Sequence, residues 1–312
     1  MKRPEEQPLP VVRAAELDIA PPGQSWLIES LWARSGVGVI GGTPKSLKTW
    51  LGLEMAVSVA SGTPCLQQYP VQQPGPALIY LAEDRLSATR ERFEALCSHR
   101  GLGLETLDLQ VITATSLRLD VEGDIARLDA TLAAHQPRLL LLDPFVRLHH
   151  SDESSAGDVA AILASLRELQ RKHDAAIVVT HHTRKNHRAG QHGQTLRGSG
   201  DFHAWADSAL YLTHHAQALQ LTMEHRAAPA PEPRHVQLAG DPPRLILVDI
   251  DPETTKPGLE DRVLETLRRS PTPIRRSQLR SLLTVNNARL GETLQDLEKL
   301  GRIHRTPLGW AC

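Results

Sequence analysis

Short, almost continuous apolar runs alternate with amphipathic segments from about Gly36 to Ala206. The apolar runs have the length expected of strands buried on both faces of a parallel sheet: VGVIGG, ALIYLAED, LQVITA, RLLLLDP and AAIVVTHH. The segments between them have helical periodicity: Lys48 to Ser61, Leu86 to His99, Val121 to His135, and Asp158 to His173. This βαβ alternation predicts a doubly wound α/β core with a mostly parallel sheet.

The pattern changes after Ala206. Shorter strand-like runs separated by turns follow there, namely SALYLTH, ALQLTMEH, RHVQLA and RLILVDI. Such runs are typical of antiparallel strands, so we expect them to pair along one edge of the parallel sheet.

The C-terminal part has the pattern of a separate small domain. The segment DPETTKPG, residues 251–258, has the composition of a linker. Three helical patterns and a hairpin pattern follow it: LEDRVLETLRR, IRRSQLRSLL, NNARLGETLQDLEKLG and RIHRTPLGWAC. This order resembles a winged helix with Asn286 to Leu300 in the recognition-helix position, and the alternative is a helical appendage that packs on the core or mediates assembly. The expected plan is an N-terminal extension over 1–24, a core domain over 25–250, the linker, and a winged-helix-like domain over 259–312.

Composition adds a charge asymmetry to this plan. The chain has 312 residues, 40% of them hydrophobic, which suffices for one large domain and one small one. Its formal net charge is −1, but residues 258–312 contain ten Lys/Arg and six Asp/Glu, a net of +4. The positive excess favours an anionic partner near the C-terminus, either duplex DNA or a protein.

No apolar run approaches the roughly 18 to 20 residues that span a bilayer. The start MKRPEEQPLP is polar where a signal peptide would have an apolar core, so we expect a cytoplasmic protein without membrane contact. The three cysteines are widely spaced and form no Cys-x-x-Cys pair, which indicates neither a disulfide framework nor a zinc knuckle.

The stretch VGVIGGTPKSLKTW, residues 37–50, joins a buried strand to a helix through a loop suited to phosphate. Phosphate is bound by converging backbone N–H groups, the positive end of a helix and one ammonium, and this loop has all three. Lys48 is expected to reach the β- and γ-phosphates, and the Thr49 hydroxyl to bind Mg²⁺. We therefore predict an ATP site formed by Gly42, Thr43, Pro44, Lys45, Ser46, Leu47, Lys48, Thr49 and Trp50.

Leu47 departs from the usual GxxxxGK(S/T) pattern, which has glycine at that position. A side chain there is expected to be tolerated only if the residue has a negative φ and its Cβ points away from the phosphates. Lys45 offers a second cation that would offset the loss. The alternative for the whole stretch is an ordinary strand-to-helix turn.

Polar side chains also follow three later strands. Asp143 ends RLLLLDP, Glu83 and Asp84 end ALIYLAED, and Thr180-His181-His182 ends AAIVVTHH. Ligands of open α/β sheets bind beyond the carboxyl ends of the strands, so these groups should converge on the loop. A carboxylate to hold the metal, another to orient water and a polar group near the γ-phosphate are what phosphoryl transfer requires, and His182 is the candidate for the last. The alternative is that these groups simply face solvent or support the fold.

The order of these motifs, with LLLLDPFVRLHHSDESSAGD and LRGSGDFHAWADSALYL, resembles the RecA-like ATPases of the RepA-type and DnaB-type hexameric helicases. The resemblance extends from about Ser25 to Arg226. It implies that Glu83 is the general base, that Asp143 is the Walker B metal ligand, and that His181-His182 is the sensor pair.

The same resemblance implies roles for two arginines. Arg226, in TMEHRAAP, is similar in position to the finger that ring helicases project into a neighbouring subunit's site, and Arg197 lies in a similar RGS loop. The segment from Lys185 to Gly200 would face the channel of a ring, where Lys185, Arg188 and Arg197 would follow a nucleic-acid backbone. The alternatives are arginines paired with surface acids and a surface loop without this role.

These observations predict a Mg²⁺-dependent ATPase with a RecA-like α/β core, assembled as a homo-oligomer, most simply a hexamer. The resemblance implies a plasmid- or phage-type replicative helicase that moves on single-stranded DNA. One alternative is a DNA-binding ATPase switch without unwinding activity, and another is a non-enzymatic scaffold whose loop no longer functions.

Overall fold

The computed structural model describes residues 11–16, 25–150, 156–182, 199–215, 218–249, 259–270 and 272–312. The chain divides into two compact units, Met1–Val248 and Asp249–Cys312. The helices described in the first unit are α1 (Lys48–Ser61), α2 (Leu86–Ser98), α3 (Glu122–His135), α4 (Ala156–His173) and α5 (Ser199–Trp205). Its described strands are β1 (Trp26–Ile28), β2 (Trp32–Ala33), β3 (Val37–Gly42), β4 (Ala77–Leu81), β5 (Leu109–Val111), β6 (Leu139–Asp143), β7 (Ala176–His182), β8 (Ser208–His215), β9 (Ala218–His225), β10 (Arg234–Ala239) and β11 (Arg244–Val248).

In the described part of the chain, nine strands form one sheet in the order β11-β10-β9-β8-β3-β7-β6-β4-β5. The strands from β8 to β5 in this order pair in parallel, whereas β9, β10 and β11 are antiparallel. The predicted α/β fold, with a mostly parallel sheet and antiparallel strands at one edge, is confirmed.

The change of strand direction falls one strand later than the sequence suggested. β8 was expected among the antiparallel strands, but it pairs in parallel with β3, with Gly38 opposite Ser208. On its other side β8 pairs antiparallel with β9. A parallel neighbour requires a crossover connection, and the segment between β7 and β8, which includes α5, has the length for one.

Helices cover both faces of the sheet, which explains the absence of polar alternation in the central strands. Every residue of β3 and β6 is buried. Leu51, Met55 and Phe93 of α1 and α2 belong to the apolar core on one face, and Leu132 of α3 and Phe202 of α5 belong to the core on the other. Strands buried on both faces are apolar along their whole length.

Two short elements had no clear sequence signal. β1 and β2 form an antiparallel hairpin before β3, and the buried Trp32 donates its indole N–H to Gly36 O at 3.1 Å. The seven-residue α5 is also too short to show helical periodicity. Their positions depend on tertiary packing more than on local pattern.

The second unit contains α6 (Leu259–Arg269), α7 (Arg276–Leu283), α8 (Asn287–Lys299), β12 (His304–Thr306) and β13 (Gly309–Ala311). Its own apolar core includes Leu264, Leu279, Leu290, Leu297 and Trp310. The order of three helices and a hairpin is the one expected from the sequence, while its assignment as a winged helix stays a prediction. The proposed linker lies outside the described residues, and of the proposed N-terminal extension only residues 11–16 are described.

Among the helices of the described residues, none combines the length and the apolarity needed to cross a bilayer.

Candidate nucleotide site

The loop between β3 and α1 lies at the carboxyl end of the parallel strands. Lys48 is the first residue of α1 and is only 7% exposed. Its Nζ donates to Gly42 O at 3.0 Å and to Thr43 O at 2.8 Å, so the ammonium folds over the start of the loop. Pro44 and Lys45 lie on the exposed outer side of the same loop. The loop thus places one cation inside and one outside.

Two hydroxyl groups in this loop fit a bound phosphate. Thr43 Oγ1 and Ser46 Oγ are buried and have no hydrogen-bond partner among the described residues. A buried hydroxyl without a partner is costly, and an anionic oxygen would satisfy it. A Cβ at Gly42 would lie 2.3 Å from Ser46 Oγ and 2.8 Å from Leu212 O, so only glycine leaves this space open. The first turn of α1 adds N–H groups that have no partner within the helix.

Leu47 adopts the left-handed conformation, with φ 62° and ψ 21°. The expectation that a side chain requires a negative φ at this position was therefore wrong. Lys45, two residues earlier, has φ 63° and is also left-handed. The turn itself demands the glycine-like geometry, which costs an L-residue about 1–2 kcal/mol. Leu47 offsets this cost because its half-buried side chain packs against the core on the α1–α2 face.

We expect Leu47→Gly to change the free energy of unfolding by no more than about 1 kcal/mol, because relief of the left-handed strain offsets the lost packing. Leu47→Ile keeps the volume but places a β-branched residue at positive φ, where it is a severe outlier. Chemical denaturation of both variants should show the Ile variant as the less stable by about 1 kcal/mol or more. An Ile variant as stable as the wild type would contradict the strained-turn interpretation.

Asp143 lies at the end of β6 and is 6% exposed. Its carboxylate accepts hydrogen bonds from the hydroxyls of Thr180 and Thr49. Burial raises the pKa of Asp143 above its ordinary value, and these hydrogen bonds together with Lys48 only partly oppose that effect. The two predicted metal ligands, Thr49 and Asp143, are thus adjacent. A hydroxyl and a carboxylate are oxygen ligands of the kind that Mg²⁺ binds, so the donor set fits that ion.

Burial also lowers the pKa of Lys48 to about 8, and the attraction of Asp143 and Glu83 opposes the shift. Three of the residues singled out in the sequence therefore act on one another at the mouth of the loop. An ammonium that is desolvated in this way has more to gain from an incoming phosphate than a hydrated one.

Glu83 pairs with Arg147, which was not among the predicted site residues. The Arg147 guanidinium donates through Nε to Glu83 Oε1 at 2.7 Å, and both side chains are at least half exposed. Arg147 lies in a short 3-10 helix, Phe145–Arg147, which follows β6 directly. Its position four residues after Asp143 was the one available signal.

Asp84 belongs to a different contact. Its carboxylate accepts from Arg92 Nη1 at 2.5 Å, and the same guanidinium lies 5.7 Å from the ring centre of Trp50. Trp50 is half-buried and packs against the core on the α1–α2 face. Asp84 is thus engaged beside Trp50 and does not join the Lys48 cluster as a hydrogen-bond partner.

The two histidines of the predicted sensor have different surroundings. His182 lies opposite Gly42 in the parallel pairing of β3 and β7, which puts it beside the start of the loop. His181 is fully buried and stacks on Phe202 with ring centres 4.6 Å apart. Side chains alternate along a strand, so Thr180 and His182 share one face and His181 points to the other. Of the pair, His182 is the residue near the candidate site.

Arg226 lies at the amino end of the parallel strands, opposite to the end that carries the loop. It follows β9, and its backbone N–H donates to Asp207 O at 2.9 Å. Its guanidinium donates to Ala204 O, and Nε lies 3.6 Å from Asp207 Oδ1. Arg226 therefore does not reach the loop of its own chain. Arg197, Lys185 and Arg188 lie outside the described residues.

Comparison with known proteins gives one family match and one structural likeness. Residues 2–188, more than half of the chain, match the family model AAA_25, described as an AAA domain. Among solved structures, a crystal structure of the RadB recombinase is similar with a TM-score of 0.49 and 16% identity, over 66% of this chain and 88% of that chain. With the loop, the strand-end carboxylate and the matched family model in agreement, the chain belongs to the AAA domain family of P-loop ATPases.

Proposed function

We propose that this chain hydrolyses ATP with Mg²⁺ and uses the turnover to move on single-stranded DNA as a ring-forming helicase. The observation that carries the ATPase proposal is the meeting of Lys48, Thr49 and Asp143 at the carboxyl end of β3. Buried hydroxyls without partners line the same loop. The helicase part rests on the order of motifs from the loop to Arg226.

Each residue of the site has a distinct task in this proposal. The loop N–H groups and Lys48 hold the β- and γ-phosphates, and Thr49 and Asp143 would hold the metal. Mg²⁺, when bound, neutralises charge that develops on the phosphate oxygens. Glu83 orients the attacking water and accepts its proton. Because Arg147 occupies one oxygen of Glu83, this base must leave Arg147, or use its other oxygen, to act.

The position of Arg226 supports a homo-oligomer. Arg226 lies at the amino end of the parallel strands, away from its own loop, so any role it has in phosphoryl transfer would be at a site on another copy. Asp207 and Ala204 O hold its guanidinium in place there. We propose a hexameric ring in which Arg226 enters the neighbouring site, a role worth about 10³- to 10⁵-fold in rate in other enzymes.

The second unit supports a further part of the proposal. Its three helices, its hairpin and the bridge between Ile274 and Trp310 occur in the order of a winged helix. A separate unit of this kind also favours the alternative function, a DNA-binding ATPase switch in which ATP drives assembly without unwinding. Strand displacement from a forked duplex distinguishes the two.

The decisive experiment measures ATP turnover with and without single-stranded DNA, together with particle mass in a non-hydrolysable nucleotide. Stimulation by DNA together with assembly supports the helicase. Assembly without stimulation, and without strand displacement, supports the switch. Absence of ATP turnover under all conditions would contradict both the helicase and the ATPase switch.

The pH dependence provides an independent test. Lys48 is charged below its pKa of about 8 in the free protein, so kcat/KM for ATP should fall as pH rises through this value. Bound phosphates favour the ammonium, so kcat should persist to higher pH. In Lys48→Arg the cation does not titrate in this range, and the alkaline fall in kcat/KM should disappear even if the rate is lower. A wild-type kcat/KM that stays level through this range would contradict the assignment.

A further inference from the structure

Charged side chains are segregated along the second unit. Residues 270–290 contain four arginines and neither Asp nor Glu: Arg275, Arg276, Arg280 and Arg289. All four are exposed. The remainder of α8 is acidic, with Glu292, Asp296 and Glu298 against Lys299. The start of α8 and the preceding helix α7 are thus positive, whereas most of α8 is negative.

Two adjoining hollows lie on the positive side of this unit. The first, of about 770 Å³, lies between α7 and the start of α8 and is lined by Arg276, Arg280, Ser277, Ser281, Thr284 and Asn287. The second, of about 370 Å³, lies between α8 and the hairpin and includes Arg275, Arg276, Arg305 and Gln295. Arg276 lines both, which makes them one continuous surface. Glu298 lines only the second hollow.

Gly291 leaves space beside α8 for the guanidinium of Arg276. A Cβ at Gly291 would lie 2.3 Å from Arg276 Nη2, so a side chain there would force the guanidinium to move. Across this gap Arg276 Nη2 donates to Asn287 O at 2.5 Å. Glycine weakens the interior of a helix relative to alanine. α8 therefore forgoes some helix stability at the point where it accommodates Arg276.

The arginines of this surface lack acidic partners. Arg276 and Arg280 are one helical turn apart, a spacing at which like charges repel. No carboxylate among the described residues pairs with Arg276, Arg280 or Arg289, whereas Arg269 on α6 pairs with Glu265 at 2.7 Å. A cluster of exposed cations that form no ion pairs is the electrostatic footprint of a polyanion-binding surface.

We propose that this arginine face, defined as Arg275, Arg276, Arg280, Arg289 and Arg305, binds the phosphate backbone of duplex DNA without reading its sequence. Guanidinium and hydroxyl donors are the groups that contact phosphate oxygens. The first hollow has no aromatic residue among its lining residues, and Trp310, which lines the second, is only 9% exposed, so neither offers an open platform on which single-stranded bases would stack. The acidic remainder of α8 would repel the phosphates on both sides of a DNA groove. This repulsion opposes insertion of α8 into the groove as a recognition helix.

The inference deepens the proposed function and relies on it for the DNA partner, but it does not require ATP turnover. It changes the winged-helix expectation in one respect: α7 and the first turn of α8 make the principal contacts, and the body of α8 does not.

The test uses the full chain and a short fluorescent duplex of random sequence, with binding followed by anisotropy at several salt concentrations. Arg276→Ala/Arg280→Ala should weaken binding on the order of 10-fold and reduce the slope of log K against log salt by about 2. Arg268→Ala/Arg269→Ala removes two exposed arginines from α6 and is the matched control, expected to bind almost as the wild type does. Equal binding by the two double variants would overturn the proposal.

Gly291→Ala removes no charge and should not weaken α8, yet it displaces the guanidinium of Arg276. Weaker duplex binding at an equal or higher melting temperature would therefore show that the placement of this group matters. Unchanged binding would contradict that placement.

Further arms separate the alternatives. Gln295→Ala removes a polar side chain from the body of α8. If this variant preferred different duplex sequences from the wild type, α8 would be reading bases, and the proposal would be overturned. Binding of labelled poly-glutamate by a chain that does not bind the duplex would point to an acidic protein and would also overturn the proposal. Lys48→Ala should bind the duplex as the wild type does, so loss of the ATPase and loss of this surface are distinguishable.

Discussion

Replacing Lys48 with alanine is expected to lower ATP turnover by about 10²- to 10³-fold, which corresponds to roughly 2.7–4 kcal/mol of transition-state stabilisation. The side chain is buried among Gly42 O, Thr43 O and the carboxylate of Asp143, and it is the cation on the inner side of the loop. In a poorly hydrated site such a cation stabilises the negative charge that develops on the phosphates more strongly than it would in water. Release of phosphate under saturating ATP measures the effect.

Lys45→Ala is the matched control for this prediction. Lys45 is in the same loop and carries the same charge, but it is exposed. Its removal should reduce turnover only slightly, because water screens an exposed cation. Equal losses in both variants would mean that general positive charge, and not the buried ammonium, is responsible. Equal phosphate release by Lys48→Ala and the wild type would support the non-enzymatic scaffold instead.

Glu83→Gln is expected to lower turnover by about 10²- to 10⁴-fold, the usual contribution of a general base. ATP binding should remain near the wild-type level because Glu83 is not among the loop groups that hold phosphate. The amide keeps the shape of the carboxylate and still accepts from Arg147, so a folding defect is not expected. Nucleotide binding by calorimetry and turnover by phosphate release should thus separate.

Two neighbouring variants locate this effect. Asp84→Asn should have a small effect, because Asp84 pairs with Arg92 beside Trp50. Arg147→Ala should leave turnover at or above the wild-type rate, because it frees the base from its ion pair. If Asp84→Asn were the damaging change and Glu83→Gln the harmless one, the assignment of the base would be reversed.

The residues at the strand ends show which part of the candidate site local sequence patterns predict. The apolar runs that become β3, β6 and β7 are visible in the sequence because buried parallel strands have no polar alternation. Parallel strands end at the same edge, so Asp143 and Thr180 were expected to lie near Lys48 and Thr49, and they do. This part of the candidate site follows from the order of the elements alone.

Other features of the site depend on long-range packing. The positive φ of Leu47 is tolerated because the side chain packs on a core assembled from distant segments. The contact between Arg147 and Glu83 joins residues 64 positions apart, and no periodic signal connects them. The parallel direction of β8 likewise depends on the crossover before it and not on its own residues.

The sequence by itself therefore determined the α/β core, the loop that carries Lys48 between β3 and α1, and the separate basic C-terminal unit. These are encoded in hydrophobic periodicity, glycine placement and local charge, each of which acts over a few residues. Only the tertiary structure decided which arginine pairs with Glu83, that Arg226 lies away from the loop of its own chain, and that Gly291 accommodates Arg276. Side-chain partners of this kind are set by the packing of elements distant in the chain, which no local pattern specifies.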